Sequence, residues 1–382
     1  MSNFVFNRNI EKIPEALSIH WNQKAADISS KKLIKLALGE AFFSIKKFNL
    51  NKYLEDKNYH YSDSRGNILL RKKIARLYKK KYSSKFNAKE EIIISAGSKI
   101  LTYMSFLTLL NKGEEAVTFE PAWLSYKEQT RIMGCKMRFI PFSTNINSIK
   151  NFLKKKTKVF ILNNPNNPSG KLYDKKFLLK LFKILKSKKI YLICDEAYSD
   201  FIPQNKSFIS ALAVDKKKER TIVVNSLSKN FGMSGWRLGY IIANKKIIQK
   251  LLILNQHLIT CAPTILQSYV ADNFENLYKH NIFQIKKLIQ KRKIIEKFLK
   301  INNIKYLESD STFYFFLSIN KKINVDNFCN ELLFKKFISV VPGRAYGNNT
   351  DQYIRISIGT EKLSTIIKAL KVIQKLSVKF IK

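Results

Sequence analysis

The stretch of this chain best suited to covalent chemistry is a lysine behind two hydroxyl residues, with an arginine beyond it. Val224 to Tyr240 reads VNSLSKNFGMSGWRLGY, with Ser226 and Ser228 close before Lys229 and Arg237 eight residues after it. A primary amine can form an imine with an aldehyde, and hydroxyls with a guanidinium suit a phosphate. An apolar, strand-like run from Thr221 to Val224 leads in, and Gly232, Gly235 and Gly239 allow tight turns. Most lysines here are solvated surface charge, so it is the neighbours of Lys229 that set it apart.

Other chemistry-bearing residues stand at the ends or middles of apolar runs. Asp195 closes the run Ile190 to Cys194, where a carboxylate is expensive to bury without a cationic partner. A protonated ring nitrogen would be such a partner. Arg355 sits inside YIRISI and needs an anion, and its fork suits a carboxylate where lysine would not. Ile92 to Ile94 runs into Ser95-Ala96-Gly97-Ser98-Lys99 and then an apolar helix from Ile100 to Leu110. Strand, small-residue turn and helix start make an anion site, although many α/β turns look alike. Lys158 to Leu162 ends in NNPNNPSG, Asn163 to Gly170, which by itself is turn punctuation.

The elements that must position these groups follow from periodicity. Strands alternate with helices from about residue 90 to 240, which predicts a mostly parallel sheet with its chemistry at the strand ends. A helix is expected over Pro14 to Ser29 and a short strand from Ile34 ending at Gly39. Beyond the sheet come a long helix (Gln284 to Lys300), a strand (Ser309 to Ile319), a helix (Val325 to Lys335) and a last strand (Tyr353 to Ile358). At 382 residues, 45% apolar, the chain is globular and long enough for two domains. The net charge of +42 invites a nucleic-acid reading, but the lysine excess is spread over the whole length alongside abundant Ile, Asn, Phe and Tyr. That pattern is compositional bias, so no nucleic-acid partner is expected. Cys135, Cys194, Cys261 and Cys329 form no CxxC pair, and the four histidines are dispersed. Reduced thiols in the cytoplasm and no metal are expected. No run is long enough to cross a bilayer, and Met1 to Ile10 does not resemble a signal peptide.

The run around Lys229 resembles the pyridoxal 5′-phosphate lysine signature of the class I and II aminotransferases, the aspartate aminotransferase-like enzymes of fold type I. Six motifs match in the family's order from about Ile34 to the end of the chain. The resemblance implies an α/β fold with a large cofactor domain over residues 46–275 and a smaller α+β domain from residues 1–45 and 276–382. It implies that Lys229 forms the Schiff base, that Asp195 holds the ring nitrogen, and that Asn167 and Tyr198 hold the 3′-oxygen. Arg237, Ser226 and the Gly97, Ser98 and Lys99 turn then meet the phosphate. Trp123, in the run P-x-W-x-x-Y, matches the residue stacked on the ring. Arg355 becomes the clamp for the substrate α-carboxylate, with Asn167 beside it. In the family's G-E-P-x-F turn Ala41 replaces the proline, so only Gly39 carries over; a plain strand-ending glycine explains it equally well. Tyr61 matches a tyrosine that reaches the cofactor phosphate of a neighbouring subunit, which would make a homodimer with shared sites. A buried structural tyrosine is the equal alternative. The Asn167–Pro168 bond is expected to be cis.

The implied activity moves an amino group from an L-amino acid to a 2-oxo acid in ping-pong fashion, with Lys229 as general base at Cα. The same residues serve carbon–sulfur β-lyases, which differ in substrate. A third reading is a basic nucleic-acid-binding protein, resting on charge alone. Phe313, Tyr314, Phe315 and Tyr126 permit a bulky substrate side chain. No second cation for a distal carboxylate stands out, and Arg344 occupies a position after P-G that is usually small or acidic.

Overall fold

The structure, a computed structural model, describes residues 6–28, 32–47 and 49–380. Its strands are β1 (Ile34–Lys35), β2 (Ile92–Ser95), β3 (Glu115–Glu120), β4 (Lys136–Pro141), β5 (Thr157–Asn163), β6 (Tyr191–Asp195), β7 (Thr221–Ser226), β8 (Gly239–Ile242), β9 (Tyr314–Ser318), β10 (Ile338–Ser339), β11 (Val341–Pro342) and β12 (Tyr353–Ser357). Seven of them form one sheet in the order β2-β8-β7-β6-β5-β3-β4, parallel throughout except for β8.

These strands read as continuous apolar runs because both faces of the sheet are covered. Alternate side chains enter two separate apolar layers. Phe160, Leu162, Leu192 and Val223 join one, while Val159, Ile161, Ile193 and Ile222 join the other. Registry then gathers the strand ends. Asn163 pairs with Asp195, Asp195 with Val224, and Ser226 with Gly239, which in turn pairs with Ser95. One edge of the sheet therefore carries Asn163, Asp195, Ser226 and Ser95 together, at the carboxyl ends of its parallel strands.

A third apolar cluster joins Trp21, Leu36 and Ala37 to residues between Ile285 and Leu376. It includes the antiparallel sheet β11-β12-β9, the parallel pair β1-β10 and the helices Val325–Lys336 and Leu363–Lys379. The fold is thus α/β with a mostly parallel central sheet, as expected.

Four expected elements change. The strand expected over Ser309 to Ile319 is confined to Tyr314–Ser318. The helix expected over Pro14 to Ser29 spans Leu17–Ala26, and Ser29 lies outside the described residues. The strand expected from Ile34 to Gly39 stops at Lys35, because β10 offers only a two-residue ladder; Gly39 instead turns its carbonyl toward Lys229. The long helix starts twenty residues early, at Thr264 just after Pro263, and ends at Ile301. Its amino-terminal half buries Tyr269, Val270, Phe274 and Leu277 against the large sheet's layer, and its carboxyl half buries Ile285, Leu288 and Ile295 in the third cluster. One rod therefore braces both cores.

Candidate active site

At the end of β7 the Ser226 hydroxyl accepts from the Ser228 amide at 3.0 Å and caps a one-turn helix, Leu227–Asn230. That turn aims Lys229 back over the sheet edge. Its Nζ donates to the Gly39 carbonyl at 2.5 Å and lies 5.9 Å from the Phe313 ring centroid. Loss of hydration brings this amine from 10.5 down to about 8; Glu40 opposes, Arg355 and Arg237 assist, and Asp195 opposes.

Asp195 is buried at the end of β6. Its Oδ2 accepts from the Tyr126 hydroxyl at 2.6 Å and its Oδ1 from the Ala197 amide at 3.1 Å. Burial raises its pKa, against the lowering effect of those two donors and of Lys229. Asn167 follows β5, behind a loop in which Asn164–Pro165 and Asn167–Pro168 are both cis. Its amide nitrogen donates to the Asn163 side chain at 2.6 Å, and its Nδ2 to the Tyr198 hydroxyl at 3.4 Å. Its Oδ1 is buried without a partner.

Gly97 precedes the helix Ser98–Leu109 with φ +91°, a conformation that side chains disfavour. A Cβ there would lie 2.6 Å from Arg237 Nη2, so the glycine makes room for the guanidinium. Arg237 is anchored through Nη1 to the Ser234 carbonyl at 2.7 Å and to Ser228 Oγ at 3.4 Å. Lys99 sits over Trp123, 5.5 Å from the ring centroid, and its pKa is lowered by burial and then by the Arg237 charge. Two cations pressed together at a helix start invite an anion.

Arg355 lies buried in the centre of β12. Nη2 donates to the Ala37 carbonyl at 2.6 Å, and the guanidinium lies against the Tyr314 and Tyr346 rings, at 4.7 and 5.3 Å from their centroids. Its Nε is buried without a partner, and it forms no ion pair among the described residues. A buried guanidinium with an unused donor calls for an anionic ligand. At Gly39 a Cβ would stand 3.1 Å from Tyr314 Oη and 3.6 Å from both Arg355 terminal nitrogens. The glycine therefore does more than end a strand.

Gly39, Ser98, Lys99, Trp123, Asn167, Asp195, Tyr198, Ser226, Lys229, Arg237 and Arg355 all line one cavity of about 560 Å³. Gly97 stands behind Arg237. Tyr61 stands apart: within this chain it is 86% exposed. Sequence reasoning missed Glu40 and, from the helix Leu17–Ala26, Ser18, Ile19 and Asn22. The i, i+4 spacing of Ser18 and Asn22 marks a polar face, but nothing local says what it faces. Two expectations about bulk are corrected. The Tyr126 hydroxyl is spent on Asp195, and Phe313 and Phe315 are core side chains, leaving Tyr314 alone of that group on the cavity. Arg344 pairs with Asp326 at 2.8 Å and lines a separate adjoining cavity of about 720 Å³, which shares Lys99 and Arg237.

The family model of the class I and II aminotransferases matches residues 32–371. The chain belongs to that family. This aminotransferase is 33% identical to the (5-formylfuran-3-yl)methyl phosphate transaminase of Methanocaldococcus jannaschii, over 86% of this chain and 87% of that one. It is 33% identical to an aspartate aminotransferase of Sulfurisphaera tokodaii, over 81% of each chain. A Methanococcus jannaschii structure, described as similar in its active site to kynurenine aminotransferases, superposes with TM-score 0.89 at 30% identity, covering 98% of this chain and 100% of that one. The cofactor of the aminotransferase is pyridoxal 5′-phosphate. The residues present fit it: a buried carboxylate at Asp195, an unpaired amide oxygen at Asn167, and paired cations at a glycine-relieved helix start. Among the described residues no cluster suits a metal, and no helix is long and apolar enough to cross a membrane.

Proposed function

We propose that the aminotransferase moves an amino group from an L-amino acid to a 2-oxo acid in a ping-pong cycle, with Lys229 as Schiff-base lysine and general base. The observation that carries this reading is the convergence of Lys229, Asp195, Asn167 and the unpaired Arg355 Nε on one cavity. Bound there, the cofactor supplies an electron sink that acidifies the substrate Cα proton.

The chain's own groups do the rest. Arg355 grips the α-carboxylate with its fork and so points Cα at Lys229. Lys229, with its amine near 8, is neutral often enough at physiological pH to take that proton and return it. Asp195 accepts the ring N–H, Asn167 and Tyr198 hold the 3′-oxygen, and Trp123 covers one ring face. Arg237, Lys99, Ser226 and the Ser98 amide hold the phosphate, while the Gly97 amide is spent on the Ser95 carbonyl at 2.7 Å.

A cytoplasmic homodimer completes the proposal. The exposed Tyr61, with Phe42, Leu50, Leu54 and Tyr59 exposed nearby in sequence, supports a partner contact that carries Tyr61 to the other subunit's phosphate site. The three apolar clusters support a large domain over 46–275 and a small one from 1–45 and 276–382, braced by the long helix.

The test is an absorption titration of the holoenzyme with single amino acids and no 2-oxo acid. Bleaching of the yellow band to the pyridoxamine form, without ammonia, supports transamination and names the donor. Ammonia and an oxo acid with the colour retained would establish the β-lyase reading instead.

A further inference from the structure

The buried hydroxyl of Tyr126 belongs to no role assigned so far. Tyr126 is fully buried and lines neither cavity, yet its hydroxyl donates to Asp195 Oδ2 at 2.6 Å, a short charge-assisted bond. The residue sits in the first turn of the helix Ser125–Ile132, three positions after Trp123. The two rings meet edge to face, with centroids 5.1 Å apart and planes at 83°. One turn thus carries both a wall of the cavity and the donor that grips the carboxylate.

The rest of the Asp195 environment leaves this contact a distinct job. The Ala197 amide holds Oδ1, and the Asp195 carbonyl is held by the Asn164 amide at 2.9 Å and by Asn163 Nδ2 at 3.0 Å. The backbone is therefore fixed from several sides, while rotation of the carboxylate is opposed by one bond to each oxygen. The titratable groups facing it are Tyr126, Lys229, Tyr198 and Cys194. Tyr126 is the donor among them that touches it. A fixed hydroxyl there orients the carboxylate plane and makes it less basic.

We propose that Tyr126 is a positioning residue that acts through Asp195, setting the direction and basicity of the carboxylate that faces the cofactor ring nitrogen. The proposal rests on the ring-nitrogen role given to Asp195 above. Tyr126→Phe removes the hydroxyl and leaves the ring on Trp123, whereas Tyr126→Leu removes both.

Three readouts on wild type, Tyr126→Phe, Tyr126→Leu and Asp195→Asn test it. In the holoenzyme, kcat of Tyr126→Phe falls about ten- to a hundredfold with KM for the amino donor little changed, as one charge-assisted bond on a buried carboxylate is lost. The pH at which the visible band changes colour shifts by about half a unit or more. In the apoprotein the loss of melting temperature in Tyr126→Phe is largest at neutral pH and shrinks toward acid pH, where Asp195 is protonated. A purely packing role predicts that Tyr126→Phe matches wild type in all three and that only Tyr126→Leu suffers; that result overturns the proposal. If Asp195→Asn itself transaminates like wild type, the role of Asp195 fails and Tyr126 falls with it. Loss in Asp195→Asn with wild-type behaviour in Tyr126→Phe removes the inference about Tyr126 alone.

Discussion

The amine of Lys229 donates to the carbonyl of Gly39 across 190 residues of chain, at 2.5 Å. The Tyr314 hydroxyl donates to the same carbonyl at 3.1 Å and lies 3.0 Å from the Tyr198 hydroxyl. A single backbone oxygen thus joins Lys229 to Tyr314 and, through it, to Tyr198.

The Lys229 amine, held near 8, should set the pH dependence of cofactor uptake. Its unfolded counterpart keeps its proton to 10.5, so the folded chain binds fewer protons between those values and gains stability as pH rises through them. The rate of pyridoxal 5′-phosphate uptake by the apoprotein should climb to pH about 8 and then level off. Stopped-flow absorbance reads this directly, and a rate still climbing tenfold per unit at pH 10 contradicts it. Lys229→Ala should lower kcat by about 10³-fold or more, since nucleophile and base are lost together.

Arg355→Lys keeps the charge and loses the fork. With two charge-assisted bonds reduced to one, kcat/KM for amino acids should fall about a hundredfold or more. Cofactor content and spectrum should stay as in wild type, because the contact proposed for Arg355 is to substrate. A variant that loses colour instead would place Arg355 in cofactor binding.

Gly97→Ala meets two obstacles: φ of +91° and a Cβ 2.6 Å from Arg237 Nη2. The backbone term alone costs about 1–3 kcal/mol. Displacement of Arg237 should also weaken the cofactor, more for pyridoxal 5′-phosphate than for pyridoxal. Equilibrium dialysis with both ligands separates a phosphate-site effect from general destabilisation.

Glu196, beside Asp195, is buried and accepts from Ser210 Oγ at 2.9 Å, the Ala211 amide at 2.8 Å and the Tyr78 hydroxyl at 3.3 Å. Burial nevertheless pushes its pKa up from 4.5 to about 8. The folded chain therefore binds more protons than the unfolded one between those values, and stability falls as pH rises from 4.5 to 8. Glu196→Gln should flatten that slope in thermal melts from pH 5 to 8. An unchanged slope would mean that Glu196 is ionised in the native state.

The sequence by itself determined the fold class and the charged groups of the site, whereas Glu40, Ser18, Ile19 and Asn22 emerged only in the structure. Asp195 and Arg355 are legible because a charge inside an apolar run must find a partner, and Lys229 and Arg237 because hydroxyls and glycines surround them; Asn167, in a run that alone reads as turn punctuation, is singled out by the family resemblance. Continuous apolar strands between helices declare a sheet covered on both faces. Tertiary structure alone decided which oxygen meets which donor. The hydroxyl of Tyr126 rests on Asp195, 69 residues away, and the Gly39 carbonyl on Lys229, because strand registry and the packing of the helix Leu17–Ala26 against the carboxyl-terminal strands bring them together. Periodicity shows that a side chain turns inward, but contacts between distant segments depend on how the packed layers are set against each other.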